Sequence, residues 1–206
     1  MTVEPATGEA RLATLIDDLA SQGWSIQTGF APEALCAQLR AECDAVHAAG
    51  GFHPAGVGKG QSVRLERVRG DEIHWLEGDT AGPATRMVLA SLKALQNAVN
   101  RNLYLGLVES ELHFAVYPPG AGYQRHVDRF RDDDRRTLTV ILYLNPADWC
   151  AEDGGQLRFW PAENATPFDI HPQGGTLVCF LSERFPHQVL PARRTRYSLT
   201  GWMKRR

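Results

Sequence analysis

The C-terminal half of the chain, from residue 110 onward, is a series of short β-branched and aromatic runs divided by Gly, Pro and Asn. Many short strands at such spacing are typical of a β-sandwich or a barrel. We predict strands over residues 112–117, 137–144, 156–160, 176–181, 188–190 and 195–203. Because polar residues point inward at the strand ends, the pattern favours a double-stranded β-helix, which is a jelly-roll variant.

The first 109 residues have a helical pattern instead. Leu12, Leu15, Ile16 and Leu19 follow the i, i+3, i+4, i+7 rule, which predicts a helix over residues 9–21. We predict further helices after Pro32 and near Pro83, and a short strand over residues 24–29. The sequence therefore predicts an α+β fold in one domain, 1–206. Residues 1–109 would supply helical support, and residues 110–206 would form the β-helix core.

Charge and composition exclude several classes of partner. The net charge of −2 argues against bulk attraction to nucleic acid. The sequence has no apolar run long enough to span a membrane and no signal peptide, so we expect no membrane partner. Its four cysteines form no Cys-X-X-Cys pair, which indicates a reducing compartment and predicts a cytoplasmic location. The oligomeric state is not predicted by any of these features.

A His-X-Asp pair, His126 and Asp128, is the main candidate for metal chemistry. In an extended backbone these side chains point to the same face. His187 follows an apolar run and a turn, and it is the best candidate for a third ligand. Two imidazoles and one carboxylate are the facial arrangement of non-haem Fe(II) oxygenases. A His-X-Asp pair also occurs on solvated strands, so the pair alone leaves that alternative open.

A polar row downstream supports the metal interpretation. On the last predicted strand, Arg196, Ser198, Thr200 and Trp202 share one face. A guanidinium and two hydroxyls are costly to bury unless an anion binds them. An arginine binds a carboxylate with two parallel hydrogen bonds, so the row predicts a carboxylate ligand. Tyr143, near the end of the apolar strand 137–144, can add a phenol to the same carboxylate.

These motifs together resemble those of the Fe(II)- and 2-oxoglutarate-dependent prolyl hydroxylases, in particular the oxygen-sensing prolyl hydroxylase domain enzymes. The chain resembles the short bacterial members, since it ends soon after Trp202. The matching segments follow the order of the family: 68–78, 117–120, 122–128, 143–145, 154–158, 186–187 and 195–197, with Trp202.

The resemblance implies a set of site residues. It implies that Fe(II) is bound by His126, Asp128 and His187. With the polar row, it assigns 2-oxoglutarate binding to Arg196, Tyr143, Tyr117 and Thr200. It places Arg136 and Trp202 on the substrate side. The family also uses the Gly-rich region before residue 69 as a lid over the bound peptide, which implies substrate contacts for Val57, Gly58 and Lys59.

The function implied is prolyl 4-hydroxylation, with O2 consumed, succinate and CO2 released, and ascorbate in support. The substrate would be a prolyl residue in a flexible loop of an intracellular protein, with elongation factor Tu as a candidate, and the family link suggests oxygen sensing. A loop reaches a buried metal at modest ordering cost, whereas a folded proline must first be unpacked.

Two alternatives remain at the level of sequence. An AlkB-like nucleic-acid demethylase would use the same ligand pattern, but it needs a basic groove and stacking aromatics. The net charge of −2 and the aromatic content of 9% do not favour one. A non-catalytic binding module is the second alternative, and the intact ligand set and Arg196 argue against it. The remaining histidines lack a carboxylate at ligand spacing, so we predict surface or structural roles for them: His47, His53, His74, His113 and His171.

Overall fold

The structure is a computed structural model that describes residues 8–56, 68–129 and 134–206. Within these ranges the helices are α1 (Gly8–Ser21), α2 (Glu33–Ala48) and α3 (Pro83–Leu103). The first strands are β1 (Trp24–Gln27), β2 (His53–Pro54), β3 (Glu72–Trp75), β4 (Leu107–Tyr117), β5 (Tyr123–His126) and β6 (Arg136–Tyr143). They are followed by β7 (Leu157–Phe159), β8 (Phe168–Ile170), β9 (Leu177–Leu181), β10 (His187–Val189) and β11 (Arg196–Arg205). The predicted helices are confirmed.

A carboxylate links the two longer helices. Pro83 occupies the start of α3, where its missing N–H costs nothing. The Glu42 carboxylate, from α2, accepts hydrogen bonds from the backbone N–H groups of Ala84 and Thr85 at 2.8 and 3.0 Å. A negative charge is favourable at a helix N-terminus because unpaired N–H groups converge there. Glu42 therefore caps α3 and fixes it against α2.

The described strands form two antiparallel sheets. The larger has seven strands in the order β1-β9-β6-β11-β4-β3-β2, and the smaller has four in the order β5-β10-β7-β8. Every strand predicted from sequence is confirmed, although β4 begins at Leu107, five residues before the predicted start at 112. The predicted strands do not include β2, β3, β5 and β8. All four are short, and they are held by pairing with neighbouring strands rather than by a pattern of their own.

Alternation along β4 shows how the layers pack. Phe114 and Val116 lie in an apolar core shared with the three helices. Ala115 and Tyr117 point the other way, into a second core between the two sheets. The helices therefore brace the larger sheet, and the two sheets face each other as a double-stranded β-helix, which confirms the predicted fold class.

Three further expectations from sequence concern the chain as a whole. All four cysteines are free, as the lack of paired spacing predicted. Within the described ranges, no helix has both the length and the apolar character of a membrane span. The predicted lid residues Val57, Gly58 and Lys59 lie outside the described residues.

Candidate metal centre and co-substrate site

Three side chains converge beside the paired strands β5 and β10 of the smaller sheet. His126 ends β5 and His187 begins β10, and the two are directly paired across the antiparallel strands. Asp128 lies two residues beyond His126. Its Oδ1 is 3.5 Å from His126 Nε2, and its Oδ2 is 3.6 Å from His187 Nε2. Strand pairing thus brings together two histidines that are 61 positions apart in sequence.

Backbone carbonyls orient both imidazoles. His126 Nδ1 donates to the carbonyl of Gln124 at 2.7 Å, and His187 Nδ1 donates to that of Phe185 at 3.0 Å. With Nδ1 as the donor, each Nε2 is left free to bind a metal, as in metal-binding histidines. The Thr139 hydroxyl donates to Asp128 Oδ2 at 2.8 Å and fixes the carboxylate.

The protonation states suit a cation. Burial favours the neutral acid at Asp128, but His187, His126 and the Thr139 hydroxyl outweigh burial and hold the pKa of Asp128 well below its ordinary value. Burial lowers the pKa of His187 to about 4; Asp128 opposes the shift and His126 adds to it. At neutral pH the group therefore offers a carboxylate and a neutral imidazole.

The donor set fits a divalent metal. One atom from each of His126, Asp128 and His187 lies within 4.8 Å of the others, a convergence found nowhere else among the His, Cys, Asp and Glu side chains that the structure describes. Two nitrogens and one oxygen on a single face match the ligand set of non-haem Fe(II). The structure therefore brings together the residues that the sequence predicted as ligands.

Arg196 is a buried cation near this cluster. It is 2% exposed, and its Nε donates to the carbonyl of Gly155 at 2.9 Å. Gly155 has a φ of 74°, a left-handed conformation that favours glycine. The rings of Tyr117 and Tyr143 both lie 5.1 Å from the guanidinium carbon. In the described part of the chain no carboxylate forms an ion pair with Arg196.

The surroundings of Arg196 fit an anionic ligand. A buried guanidinium without a counter-charge is strongly unfavourable, so the site calls for one. The buried Tyr143 hydroxyl also has no hydrogen-bond partner among the described residues. Burial raises the pKa of Tyr143 to about 12, and Arg196 opposes that shift. The phenol is thus a neutral donor that can bind a carboxylate. Thr200 differs, because its hydroxyl already donates to the carbonyl of Val140 at 3.0 Å.

One cavity connects Arg196 to the three candidate metal ligands. It is lined by the three converging side chains and by the polar row of β11: His126, Asp128, His187, Arg196, Ser198, Thr200 and Trp202. Tyr117 also lines it, whereas Tyr143 does not, although its ring lies 5.1 Å from the guanidinium carbon of Arg196. Ile141, Leu157 and Val189 supply apolar wall. The alternation predicted for β11 is confirmed, because its four polar and aromatic positions face the same cavity.

The sequence did not assign a role to a stack that supports His126. The ring of Tyr123 lies 3.6 Å from that of His126, with an interplanar angle of 17°. The Arg69 guanidinium lies over the same Tyr123 ring, 4.8 Å from its centre. Arg69 also donates two hydrogen bonds to the Asp71 carboxylate, at 2.6 and 2.9 Å. This stack restricts rotation of the imidazole.

A group of Arg136 and two tryptophans, Trp202 and Trp75, lies on the side of the cavity that was assigned to substrate. The Arg136 guanidinium carbon lies 3.3 Å from the centre of the Trp202 ring. Arg136 also donates to the backbone carbonyl of Asp128, at 3.4 Å. Trp75 is 38% exposed and lies at the edge of this group, 6.5 Å from Trp202.

His113 was predicted to be a surface or structural histidine rather than a ligand; it is not one of the three converging residues, and it is buried and lines the cavity. The prediction considered only carboxylates at ligand spacing. A usable signal was present: His113 lies two and four residues before Ala115 and Tyr117, so on a strand it shares their inward face. Besides His113, the histidines that line this cavity are His126 and His187; the other four do not line it.

Comparisons with known proteins agree with this geometry. The family model for the 2OG-Fe(II) oxygenase superfamily matches residues 112–204. Human Egl nine homolog 1 is 37% identical over 171 residues, which is 80% of this chain and 40% of the human protein. The chain thus spans less than half the length of this curated relative.

Solved structures match over more of their length. A Pseudomonas putida prolyl-4-hydroxylase is 47% identical with a TM-score of 0.85, covering 95% of this chain and 99% of that one. A Trichoplax adhaerens prolyl hydroxylase, in complex with a hypoxia inducible factor oxygen degradation domain peptide fragment, is 31% identical with a TM-score of 0.84. That match covers 94% of this chain and 88% of the other.

Proposed function

This chain belongs to the 2OG-Fe(II) oxygenase superfamily, where it groups with prolyl hydroxylases, and we propose that it is a protein prolyl 4-hydroxylase. Its substrate is a prolyl residue in a flexible loop of a cytoplasmic protein, and elongation factor Tu is the first candidate. The observation that carries the proposal is a buried arginine with no carboxylate partner in the described residues, in the same cavity as two histidines and an aspartate.

The roles of the residues follow from their positions. His126, Asp128 and His187 hold Fe(II), with the carbonyls of Gln124 and Phe185 keeping both Nε2 atoms free to bind. Arg196 and the Tyr143 hydroxyl hold the distal carboxylate of 2-oxoglutarate, while Tyr117 and Thr200 shape the same end of the cavity. Fixing the tail of the co-substrate sets the position of its reactive end relative to the ligands.

When bound, Fe(II) with 2-oxoglutarate and O2 would supply the oxidising power that no side chain has, with succinate and CO2 as the products. Ascorbate would support the enzyme by keeping the metal reduced. The apolar residues Ile141, Leu157 and Val189 limit the access of water to the cavity. Trp202 and Arg136 form the wall against which the prolyl segment binds, with Trp75 exposed at its edge.

The test is to incubate the protein aerobically with Fe(II), 2-oxoglutarate and candidate proteins, including elongation factor Tu, and to map oxidation by mass spectrometry. We expect one oxygen atom to be added at a prolyl residue, together with succinate. Asp128→Ala is the inactive control. Asp169→Ala is the matched control that should stay active, because Asp169 is a surface residue paired with Arg158. Oxygen on another residue type, or on no protein, would refute the proposal.

A further inference from the structure

His113 occupies a place that packing alone does not explain. It lies on the inner face of β4, paired with Thr200 of β11 on one side and with Trp75 of β3 on the other. It is 1% exposed and lines the cavity that holds His126, Asp128 and His187. Neither of its ring nitrogens has a hydrogen-bond partner in the described part of the chain.

The neighbours of His113 are aromatic. Its ring meets Trp75 edge-on at 4.8 Å between ring centres and meets Trp202 at 5.6 Å. A phenylalanine would make the same ring contacts without burying two unpaired polar atoms, which is unfavourable for folding. The Trp202 Nε1 is likewise buried with no partner among the described residues. Unpaired polar atoms on one wall of one cavity indicate a ligand that pairs with them.

His113 is neutral under physiological conditions. Burial, followed by the positive charges of Arg69 and Arg136, lowers its pKa to about 3, and Asp128 only partly opposes this shift. A neutral imidazole has one N–H donor and one acceptor nitrogen. Because the indole of Trp202 and the guanidinium of Arg136 are pure donors, the wall as a whole is rich in donors.

We propose that His113 is a specificity-determining residue that donates a hydrogen bond to a backbone carbonyl of the substrate beside the target proline. This inference rests on the proposed function and deepens it. A prolyl residue has no backbone N–H, so the chain around it offers mainly carbonyl oxygens for recognition. A wall with donors from His113 and Trp202 complements that chemistry, and it disfavours segments that present an N–H at the same point.

The test compares two His113 variants on a prolyl peptide that the wild-type protein hydroxylates. His113→Leu removes the donor, and we expect the KM for the peptide to rise about tenfold, with the effect falling on KM rather than on kcat. His113→Gln restores a donor and should keep KM within about threefold of wild type. The matched control is His171→Leu, because His171 contacts the Trp149 carbonyl away from the cavity.

A second arm changes the substrate as well as the protein. Replacing the carbonyl oxygen of the target prolyl residue, or of the residue before it, with sulfur weakens it as an acceptor. One of these thioamide peptides should bind wild-type protein less tightly, by about tenfold, and the same change should cost nothing further in His113→Leu. That non-additivity assigns the bond to His113.

The outcomes separate the two proposals. If wild-type protein hydroxylates prolyl peptides but His113→Leu keeps the wild-type KM and the thioamide effects stay additive, the role of His113 is wrong and the proposed function stands. If the variant weakens 2-oxoglutarate binding instead, measured by calorimetry, His113 serves the co-substrate and the inference is overturned. If no prolyl peptide is oxidised, the proposed function fails first, and this inference fails with it.

Discussion

Replacing Arg196 with lysine tests the co-substrate site without removing its charge. Arg196 is buried, and its Nε is committed to the Gly155 carbonyl at 2.9 Å. The two terminal nitrogens of the guanidinium are therefore the atoms that we assign to the distal carboxylate of 2-oxoglutarate. A lysine ammonium keeps the positive charge but cannot form two parallel hydrogen bonds to a carboxylate while also binding the Gly155 carbonyl.

The size of the effect follows from the bonds lost. A hydrogen bond to a charged group contributes about 1.5–3 kcal/mol, so losing one arm of the pair should raise the Kd for 2-oxoglutarate about 10- to 150-fold. Losing the bond to Gly155 should lower the free energy of unfolding by about 1 kcal/mol. For a chain of this length that shifts the Tm by roughly 2–4 °C. The loss of affinity is therefore large and the loss of stability small.

Anaerobic calorimetry measures this directly, with 2-oxoglutarate titrated into Fe(II)-loaded protein. Arg158→Lys is the matched control, because Arg158 forms a comparable two-bond pair with Asp169, at 2.8 and 2.9 Å, on the exposed side of the smaller sheet. The control should keep the wild-type Kd. A Kd in Arg196→Lys within about twofold of wild type, in a folded protein, would remove Arg196 from the co-substrate site.

Four other outcomes are expected. Asp128→Ala should reduce turnover by more than roughly 100-fold, since a metal ligand is lost, and full activity in a succinate assay would refute the ligand assignment. Tyr143→Phe should raise the Kd for 2-oxoglutarate about tenfold without lowering the Tm, because the hydroxyl has no partner in the described residues; a lower Tm would contradict this. In metal-free protein, His113 and His187 have pKa values of about 3 and about 4 when folded, against an ordinary value of 6.5, so the unfolded chain binds more protons across this window. The free energy of unfolding should therefore fall as the pH drops from 6.5 toward 3, with a shallower slope in His113→Gln, as urea titrations at several pH values would show. Deleting residues 57–60 should impair turnover of a protein substrate while sparing the binding of Fe(II) and 2-oxoglutarate, and equal loss of all three would argue against a lid.

Local periodicity explains which features were predictable from sequence. The alternation of β11 placed Arg196, Ser198, Thr200 and Trp202 on one face, and the structure has all four in the cavity. The i, i+3, i+4 spacing gave the helices, because an amphipathic helix carries its own signal. The pairing of His126 with His187 has no local signal, since it depends on the register of β5 against β10. His187 could be named from sequence as the best candidate for a third ligand, but its pairing with His126 could not, and the resemblance to a family supplied the full ligand set.

The features that were missed depend on tertiary contacts. Strand β8 has only three residues, and its pairing with β7 creates it. His113 was assigned a surface or structural role because no carboxylate accompanies it in sequence, and its aromatic surroundings come from two other strands. The stack of Arg69 on Tyr123 and His126 joins β5 to a segment more than fifty positions earlier in sequence. Spacing along β4 could have placed His113 on the inward face, but its aromatic contacts and the stack on His126 could not be found from residue spacing alone.

Isotope labelling tests the central claim most directly. Wild-type protein is supplied with Fe(II), 2-oxoglutarate, a protein substrate and O2 enriched in oxygen-18, and both products are examined by mass spectrometry. The proposed function predicts one labelled oxygen on a prolyl residue of the substrate and one in succinate, in equal amounts. Unlabelled hydroxyproline, label on a different residue type, or labelled succinate with no change in the protein substrate would contradict it.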